Sequence, residues 1–249
     1  MKRKSLKLIC TVLLVSIVGA GFTGCGNSSN ESSSEGGNSK DNVTISISGS
    51  TSVGPLMGKL SEKYENENSN VSIEINEVGS SAGIKDAING VSEIGMSSRE
   101  LKSEEESLVK ATTIAYDGIA IITNKNNPIK NITIEQIKGI YTGKIKKWSE
   151  IEGGIDSPIV VVSREEGSGT RDAFQEIIGY KSEELEPSTM ITNATGAIKQ
   201  TVIGNENSIG FVSFEYLDDK VNVVNVESVE PNAESVQAGK YKISRPFIV

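Results

Sequence analysis

The chain has 249 residues with 25 basic and 33 acidic side chains, no histidine, and two cysteines, Cys10 and Cys25. The absence of histidine excludes Ser-His-Asp and Cys-His catalysis and zinc binding through imidazole, and two cysteines so near the N-terminus exclude a disulfide framework or a cysteine-rich metal site. Beyond residue 24 there are 21 basic and 33 acidic residues, a net charge of −12 that disfavours general nucleic-acid binding.

The N-terminus has the three parts of a secretory signal. Residues 1–7 are basic, residues 8–18 are almost entirely apolar, and small residues precede Cys25. This order predicts a signal peptide over residues 1–24, because the apolar run is short for a membrane span. The segment resembles the bacterial lipoprotein signal, which implies that Cys25 carries acyl chains such as palmitate and anchors the protein on the outside of the cell membrane. The alternative is an ordinary signal cut before Cys25, which would leave a spare thiol.

Residues 25–42 are expected to form a disordered tether. The run NSSNESSSEGGNSKD at 27–41 is almost free of apolar side chains. Such a segment cannot bury enough surface to offset the entropy lost on ordering. A flexible chain of this length has a mean reach of roughly 20 Å.

The rest of the chain alternates between segments typical of strands and segments typical of helices. The apolar run at 119–122 predicts a strand buried on both faces. The periodicity predicts strands at 43–47, 71–75, 113–123, 159–162, 209–214 and 221–226, and helices at 55–66, 84–88, 134–140 and 170–178. This alternation predicts an α/β fold with mostly parallel sheets.

Three joints before predicted helices share one composition of glycine and hydroxyl residues. They are Gly49-Ser50-Thr51-Ser52, Gly79-Ser80-Ser81-Ala82-Gly83 and Gly167-Ser168-Gly169-Thr170. The first turn of a helix has free N–H groups and partial positive charge, so each joint is a potential anion seat. The alternative for any one of them is simple N-capping, which needs a single hydroxyl. Three joints with two or three hydroxyls each favour anion binding.

Two arginines lie beside these joints. Arg99 follows a pair of serines, and Arg164 ends a predicted apolar strand three residues before Gly167. A guanidinium presents a planar fork of donors that suits an oxyanion. The alternative for Arg164 is a surface ion pair with Glu165 or Glu166.

Several strings in this chain resemble one known family in order and spacing: ISGSTSVGPL, VGSSAGIKDAI, IGMSSREL, YDGIAIITN, IYTGKIKKW, SREEGSGTRDAF and SIGFVSFEYLDD. They are similar to the phosphate-binding lipoproteins of bacterial ABC phosphate transporters, over about residues 45–247. The resemblance implies a type II periplasmic-binding-protein fold, with two α/β lobes joined by a hinge and the ligand between them. It also implies capture of inorganic phosphate by lobe closure and delivery to a membrane permease with its ATPase.

The resemblance also implies a set of phosphate-binding residues. Those matching the family pattern, together with less certain neighbours, are Ser50, Thr51, Ser52, Ser80, Ser81, Ser98, Arg99, Arg164, Glu166, Ser168, Gly169 and Thr170. Many family members have an aspartate at the position of Ser98, which accepts the proton of bound hydrogen phosphate. We therefore hypothesise that Glu166 supplies the acceptor that favours phosphate over sulfate.

The resemblance places lobe 1 at residues 43–117 plus 206–249 and lobe 2 at 118–205. Relatives usually continue through a further helix beyond the position of Val249, so we expect either a truncated sequence or a smaller first lobe. We expect a monomer that is not an enzyme and that has no cofactor, metal or nucleic-acid partner. The alternatives are binding of sulfate, molybdate or tungstate, a phosphoesterase with a serine or threonine nucleophile, and a surface adhesion or signalling protein.

Overall fold

The computed structural model of the protein describes residues 42–249. The predicted signal peptide, Cys25 and nearly all of the predicted tether lie outside the described residues, and what was expected of them stays a prediction. No helix within residues 42–249 is long and apolar enough to cross a bilayer.

The described residues contain strands and helices in alternation. The strands are β1 (Val43–Gly49), β2 (Val71–Glu77), β3 (Ile94–Met96), β4 (Thr113–Asn124), β5 (Asn131–Ile132), β6 (Val160–Arg164), β7 (Met190–Thr192), β8 (Ser208–Ser213), β9 (Val221–Val226) and β10 (Ser244–Ile248). The α-helices are α1 (Gly54–Glu67), α2 (Ser80–Ile88), α3 (Ser103–Glu106), α4 (Ile134–Tyr141), α5 (Gly169–Ile178), α6 (Thr195–Gly204) and α7 (Ala233–Gln237). Short 3-10 helices occupy Trp148–Glu150, Ser182–Glu184 and Phe214–Tyr216.

Every strand and helix predicted from the periodicity is confirmed, with shifted ends. The largest shift is at α2, which begins at Ser80 rather than at residue 84. The run at 119–122 is completely buried, as predicted for a strand covered on both faces. The hydroxyl-rich joints therefore do precede helices.

The first part of the chain forms a three-stranded sheet in which β1 lies between β2 and β3. All three strands are parallel, as expected, and α1 and α2 connect them. Pro55 stands in the first turn of α1, where its missing N–H leaves no intrahelical bond unmade. The buried core is small: Ile47, Val53, Met57, Met96 and, from β10, Phe247. We call β1–β3 with α1 and α2 the small-sheet part.

The second sheet has the order β5-β9-β4-β8-β6-β7 and, with α4–α6, forms the large-sheet part. β6 is parallel to both its neighbours, whereas β4 is antiparallel to β8 and β9. The expectation of mostly parallel sheets therefore fails around β4, because β4 enters this sheet from the small-sheet side and runs against its neighbours. An aromatic cluster fills the core, in which Phe174 and Phe211 stack at 4.1 Å between ring centroids.

Two strands, β4 and β10, connect the two parts. The first half of β4 pairs with β10, with Asp117 opposite Arg245, and its second half pairs with β8 and β9. At its end β10 forms a bridge from Ile248 to Ser97, next to β3. β4 changes partners at 118–119, and the lobe crossing expected near this point stays a prediction.

The second expected crossing differs from the observed strand pairing. The sequence placed residues 206–249 in the first lobe, yet β8 and β9 pair with β4 and β6 in the large sheet. β8 is buried along its whole length, so this apolar strand lies inside the large sheet. After β9 ends at Val226, the chain passes through α7 and returns in β10, which pairs with the first half of β4.

Candidate functional site

Seven hydroxyl side chains from separate segments converge where the two parts meet. All are at most 2 % exposed, and they are Ser50, Thr51, Ser52, Ser80, Ser98, Thr170 and Thr195. They follow the carboxyl ends of parallel strands or open the first turns of α2, α5 and α6, where helix N–H groups lack intrahelical partners. We call these seven residues the hydroxyl cluster.

Within the cluster, Ser52 joins the small-sheet part to the large-sheet part. Its hydroxyl lies 2.8 Å from the hydroxyls of both Thr170 and Thr195. The hydroxyl of Thr51 is 2.9 Å from that of Thr195, and Thr51 accepts the main-chain N–H of Thr195 at 3.1 Å. The first joint therefore contacts the starts of two helices across the boundary.

Ser98 forms the other side of the cluster. It accepts a hydrogen bond of 2.9 Å from Ser50, and its hydroxyl lies 3.2 Å from that of Ser80 and 3.1 Å from that of Thr170. Ser98, where the family resemblance suggested an aspartate in many members, thus presents a neutral hydroxyl bonded to three others. The hydroxyl of Ser98 can donate a hydrogen bond to an oxyanion or accept one from a protonated oxygen of that anion.

Simple N-capping does not account for all three joints. Ser168 caps α5 by accepting the N–H of Arg171 at 3.3 Å. The N-cap residues of α1 and α2 are Val53 and Gly79, and neither makes a side-chain cap bond. The hydroxyls of Ser52 and Ser80 bond instead to other members of the hydroxyl cluster, as expected of residues in a ligand-binding site.

A close approach between the two parts depends on Gly169. A Cβ atom at this position would lie 2.4 Å from the hydroxyl oxygen of Ser80, closer than van der Waals contact permits. The glycine therefore lets the first turn of α5 meet the first turn of α2, two helix N-termini facing one region.

Arg164 is buried beside the cluster. One terminal nitrogen donates to the hydroxyl of Thr195 at 3.0 Å. The other terminal nitrogen and Nε donate to the two carboxylate oxygens of Glu165, each at 2.7 Å. The guanidinium is 2 % exposed, so the ion pair holds a buried donor next to the hydroxyls rather than on the surface.

Two contributors to the site, Thr195 and Arg245, were not predicted. Thr195 lies in Asn193-Ala194-Thr195-Gly196, another short joint before a helix, and that composition could have revealed it. Arg245 donates to the hydroxyl of Thr170 at 3.2 Å and is 3 % exposed. Its sequence neighbourhood carries no such pattern.

Besides Arg164, Ser168 and Gly169, which are described above, three predicted residues lie outside the hydroxyl cluster: Ser81, Arg99 and Glu166. Arg99 makes a bidentate pair with Glu105 at 2.8 and 2.9 Å, lies 3.3 Å from Asp172, and donates to Ser81 at 3.2 Å. The hydrogen bond from Arg99 lowers the pKa of Glu105. Arg99 thus forms an ion-pair network with Glu105 and Asp172 at the edge of the site, and Ser81 is hydrogen-bonded to it.

Glu166 is the third predicted residue outside the cluster, and here the structure differs from the hypothesis. Its side chain is exposed, and no residue within 42–249 forms a hydrogen bond or ion pair with it. The adjacent Glu165 pairs with Arg164, whereas Glu166 lies in the turn between β6 and α5. An exposed Glu166 argues against its hypothesised role as the acceptor that distinguishes phosphate from sulfate.

The chemistry available here is that of anion binding. None of the seven hydroxyls bonds to a carboxylate within the described residues, so no general base is poised to activate one as a nucleophile. Residues 42–249 also hold no group of three acidic or cysteine side chains that could bind a metal ion. Buried hydroxyls, helix N-termini and two guanidiniums make a donor-rich cluster of the kind that holds oxyanions.

Comparisons with known proteins agree with this chemistry. A model of the PBP superfamily domain matches residues 30–249. The chain is 32 % identical to the phosphate-binding protein PstS of Bacillus subtilis, over 98 % of this chain and 82 % of that protein. It is 28 % identical to the protein of the same name from Borreliella burgdorferi, over 85 % of this chain and 80 % of that protein.

Two solved structures are similar to this chain. A phosphate ABC transporter substrate-binding protein of Clostridium perfringens, solved with bound phosphate, has 59 % identity and a TM-score of 0.81, over 82 % of this chain and 84 % of that one. An ABC-type phosphate transport receptor of Vibrio cholerae has 37 % identity and a TM-score of 0.68, over 82 % of this chain and 85 % of that one.

Proposed function

We propose, from the premise that this chain belongs to the PBP superfamily and is a relative of the phosphate-binding proteins PstS, that it captures inorganic phosphate outside the cytoplasm for an ABC importer. Its fold is the type II periplasmic-binding-protein fold, as predicted. The observation that carries the proposal is the hydroxyl cluster, in which buried donors from both parts meet beside Arg164. A relative with 59 % identity was solved with phosphate bound.

The proposed mechanism is capture by closure. Ser52 from the small-sheet part and Thr170 and Thr195 from the large-sheet part belong to one cluster, so an anion contacting them all binds best when the parts are together. Such a ligand shifts the hinge equilibrium towards the closed form. We propose that the small-sheet and large-sheet parts are the two lobes and that β4 and β10 form the hinge. The loaded, closed form would then dock on the permease, whose ATPase supplies the work.

Phosphate is the proposed ligand among the tetrahedral oxyanions. Sulfate, molybdate and tungstate share the tetrahedral shape, and the hydroxyls of the cluster can donate to any of them. Hydroxyls can also accept a hydrogen bond from the proton that hydrogen phosphate carries, so the cluster can hold phosphate even though Ser98 is not a carboxylate. The relatives named for phosphate support the same choice.

We propose that the protein is a binding protein without catalytic activity. A phosphoesterase would need a base beside Ser50, Thr51 or Ser80, and these hydroxyls bond to other hydroxyls or main-chain groups. The relatives are named as binding proteins or transport receptors. Release of product from a chromogenic phosphate ester, lost in Ser80→Ala, would contradict this proposal.

We further propose that the protein works as a monomer at the outer face of the cell membrane. The signal-like residues 1–24, Cys25 as an acylated anchor and the polar run at 27–41 as a tether support this arrangement. Labelling with a palmitate analogue tests the anchor, because Cys25→Ser should abolish incorporation and release the protein from the membrane.

Arg164→Ala tests the proposed function directly. We expect phosphate affinity to fall by at least about 100-fold, since charge-assisted hydrogen bonds contribute roughly 1.5–3 kcal/mol each and Glu165 would lose its partner. Calorimetric titration with phosphate, sulfate, molybdate and tungstate measures both affinity and selectivity. Lys147→Ala, which removes an exposed ion pair with Asp156, is the control and should bind as the wild type does. Binding of none of the four anions by the wild type would refute the proposal.

A further inference from the structure

Arg245 brings a second guanidinium to the hydroxyl cluster from the last strand of the chain. It lies on β10 directly opposite Asp117 on β4. One terminal nitrogen donates to the carboxylate and main-chain carbonyl of Asp117, and the other donates to Thr170 at 3.2 Å. The guanidinium also lies 4.9 Å from the ring centre of Phe247. The side chain is thus fixed from three sides with one edge towards the cluster.

Arg245 has an unpaired donor and a second buried cation in its surroundings. Its Nε atom is buried and has no hydrogen-bond partner among the described residues, which is also true of the Nε atom of Arg171. Burial lowers the pKa of Arg245, and the positive charge of Arg164 lowers it further. Two buried guanidiniums therefore repel each other at one place, and an anion between them would relieve that repulsion.

The two guanidiniums are held in matching ways. Arg164 is paired with Glu165 and reaches Thr195, while Arg245 is paired with Asp117 and reaches Thr170. The hydroxyl of Ser52 lies 2.8 Å from each of these threonines. Each carboxylate occupies one side of its arginine and leaves donors facing the common hydroxyls.

We propose that Arg245 is a second guanidinium ligand of the bound oxyanion and that Asp117 is the residue that positions it. This inference rests on the proposed function. It assigns to the connecting strands β4 and β10 a direct share in ligand binding, so the anion would be gripped at the hinge as well as by the two facing parts. It also identifies a source of positive charge in a site whose net surroundings are acidic.

The first test compares Arg245→Met and Arg245→Lys with the wild type by calorimetric titration of inorganic phosphate. We expect about a 10- to 100-fold loss for Arg245→Met and a smaller loss for Arg245→Lys, which keeps the charge without the planar fork. Arg171→Met is the matched control, because Arg171 is another buried arginine whose guanidinium bonds only to the main-chain carbonyl of Arg164 among the described residues. It should change phosphate affinity far less.

The positioning role of Asp117 has its own test. Asp117→Asn should weaken phosphate binding in the presence of Arg245, whereas adding Asp117→Asn to Arg245→Met should cost nothing further. Such non-additivity would mean that Asp117 affects phosphate binding through Arg245. Two independent structural defects would instead give losses of binding free energy that add. Additive losses would overturn the role of Asp117.

A measurement on the wild type keeps the proposal testable if the variants fail to fold. Addition of phosphate should move the ¹⁵N NMR resonance of the Arg245 Nε–H group, assigned by its loss in Arg245→Lys or by backbone connectivity. An unmoved resonance in a protein that binds phosphate, or wild-type affinity in a folded Arg245→Met, would overturn the proposal and leave the proposed function standing. Absence of phosphate binding by the wild type would instead remove the proposed function itself.

Discussion

At the scale of single residues, the two neighbouring glutamates Glu165 and Glu166 have opposite surroundings. Glu165 forms two hydrogen bonds of 2.7 Å with the buried guanidinium of Arg164, while the side chain of Glu166 is exposed. Substituting each glutamate in turn therefore compares the same carboxylate at a position paired with Arg164 and at an exposed position.

We predict that Glu166→Gln leaves phosphate affinity and the preference for phosphate over sulfate unchanged, because its carboxylate does not reach the hydroxyl cluster. Glu165→Gln should weaken phosphate binding about tenfold, since a neutral amide cannot accept both donors of Arg164 and the guanidinium loses its fixed orientation. Competitive titration of each variant with phosphate and sulfate measures both effects. A reduced phosphate preference in Glu166→Gln alone would restore the original hypothesis for that residue.

At the scale of elements, the three glycine- and hydroxyl-rich joints divide according to how their helices are capped. Ser168 is the side-chain cap of α5, while Ser52 and Ser80 bond to the hydroxyl cluster. Stability and phosphate affinity should therefore respond differently to substitution at Ser168. A negative charge is favourable at a helix N-cap but unfavourable next to a bound anion.

We predict that Ser168→Asp keeps the free energy of unfolding close to that of the wild type but lowers phosphate affinity more than tenfold. Aspartate caps helices as well as serine does and suits the helix dipole, yet it adds a negative charge beside the proposed anion. Ser168→Ala should do the reverse, with a loss of about 1 kcal/mol of stability and a smaller loss of affinity. Chemical denaturation and calorimetric titration measure the two quantities. Equal affinity losses in both variants would contradict the electrostatic explanation.

Most of the longer elements were predictable from the sequence because their periodicity reflects burial, but the ten-residue helix α6 and the strand β10 were not predicted. The run at 119–122 is apolar throughout and is buried throughout, and α5 follows a joint whose serine caps it. The short strands β3, β5 and β7 have three residues or fewer. Strands of that length are too short to show a hydrophobic periodicity, and they form because neighbouring strands pair with them.

The site was predictable to the extent that its residues lie at strand-to-helix joints. Ser52, Ser80 and Thr170 share that local pattern, and the structure brings them together. Arg245 has no local pattern, because it reaches the cluster through the pairing of β10 with β4, which joins residues 128 positions apart. Inward and outward positions of adjacent glutamates were likewise decided by tertiary structure.

At the scale of the whole described unit, several contacts outside the hydroxyl cluster link the small-sheet part to the large-sheet part. Tyr216 donates from the large-sheet part to the main-chain carbonyl of Thr51 at 2.7 Å, and the neighbouring Glu215 pairs with Lys59 of α1. On another side, the main-chain N–H of Ser81 donates to the carbonyl of Gly167 at 3.0 Å. Such contacts hold the two parts together in this arrangement and would stabilise the proposed closed form.

The contact of Tyr216 leads to a prediction about closure. Burial and the nearby Glu77 raise the pKa of Tyr216 to about 12, so its hydroxyl stays protonated and donates throughout the physiological range. Tyr216→Phe removes this donor and leaves the carbonyl of Thr51 unpaired at the boundary, which should destabilise the closed form by about 1 kcal/mol. If the open form predominates without ligand, affinity falls by the same free energy.

We therefore expect Tyr216→Phe to weaken phosphate binding about fivefold, although this residue belongs to neither the hydroxyl cluster nor the guanidinium pair. The loss should come from a smaller population of the closed form and act equally on all four anions, so the ranking of phosphate, sulfate, molybdate and tungstate should not change. Tyr64→Phe is the matched control, because Tyr64 lies exposed on α1 and its hydroxyl bonds to no described residue. Both variants are titrated calorimetrically with the four anions. A change of ranking in Tyr216→Phe would mean that the Tyr216 hydroxyl contacts the anion. An unchanged phosphate affinity would mean that the hydrogen bond from Tyr216 to Thr51 plays no part in closure.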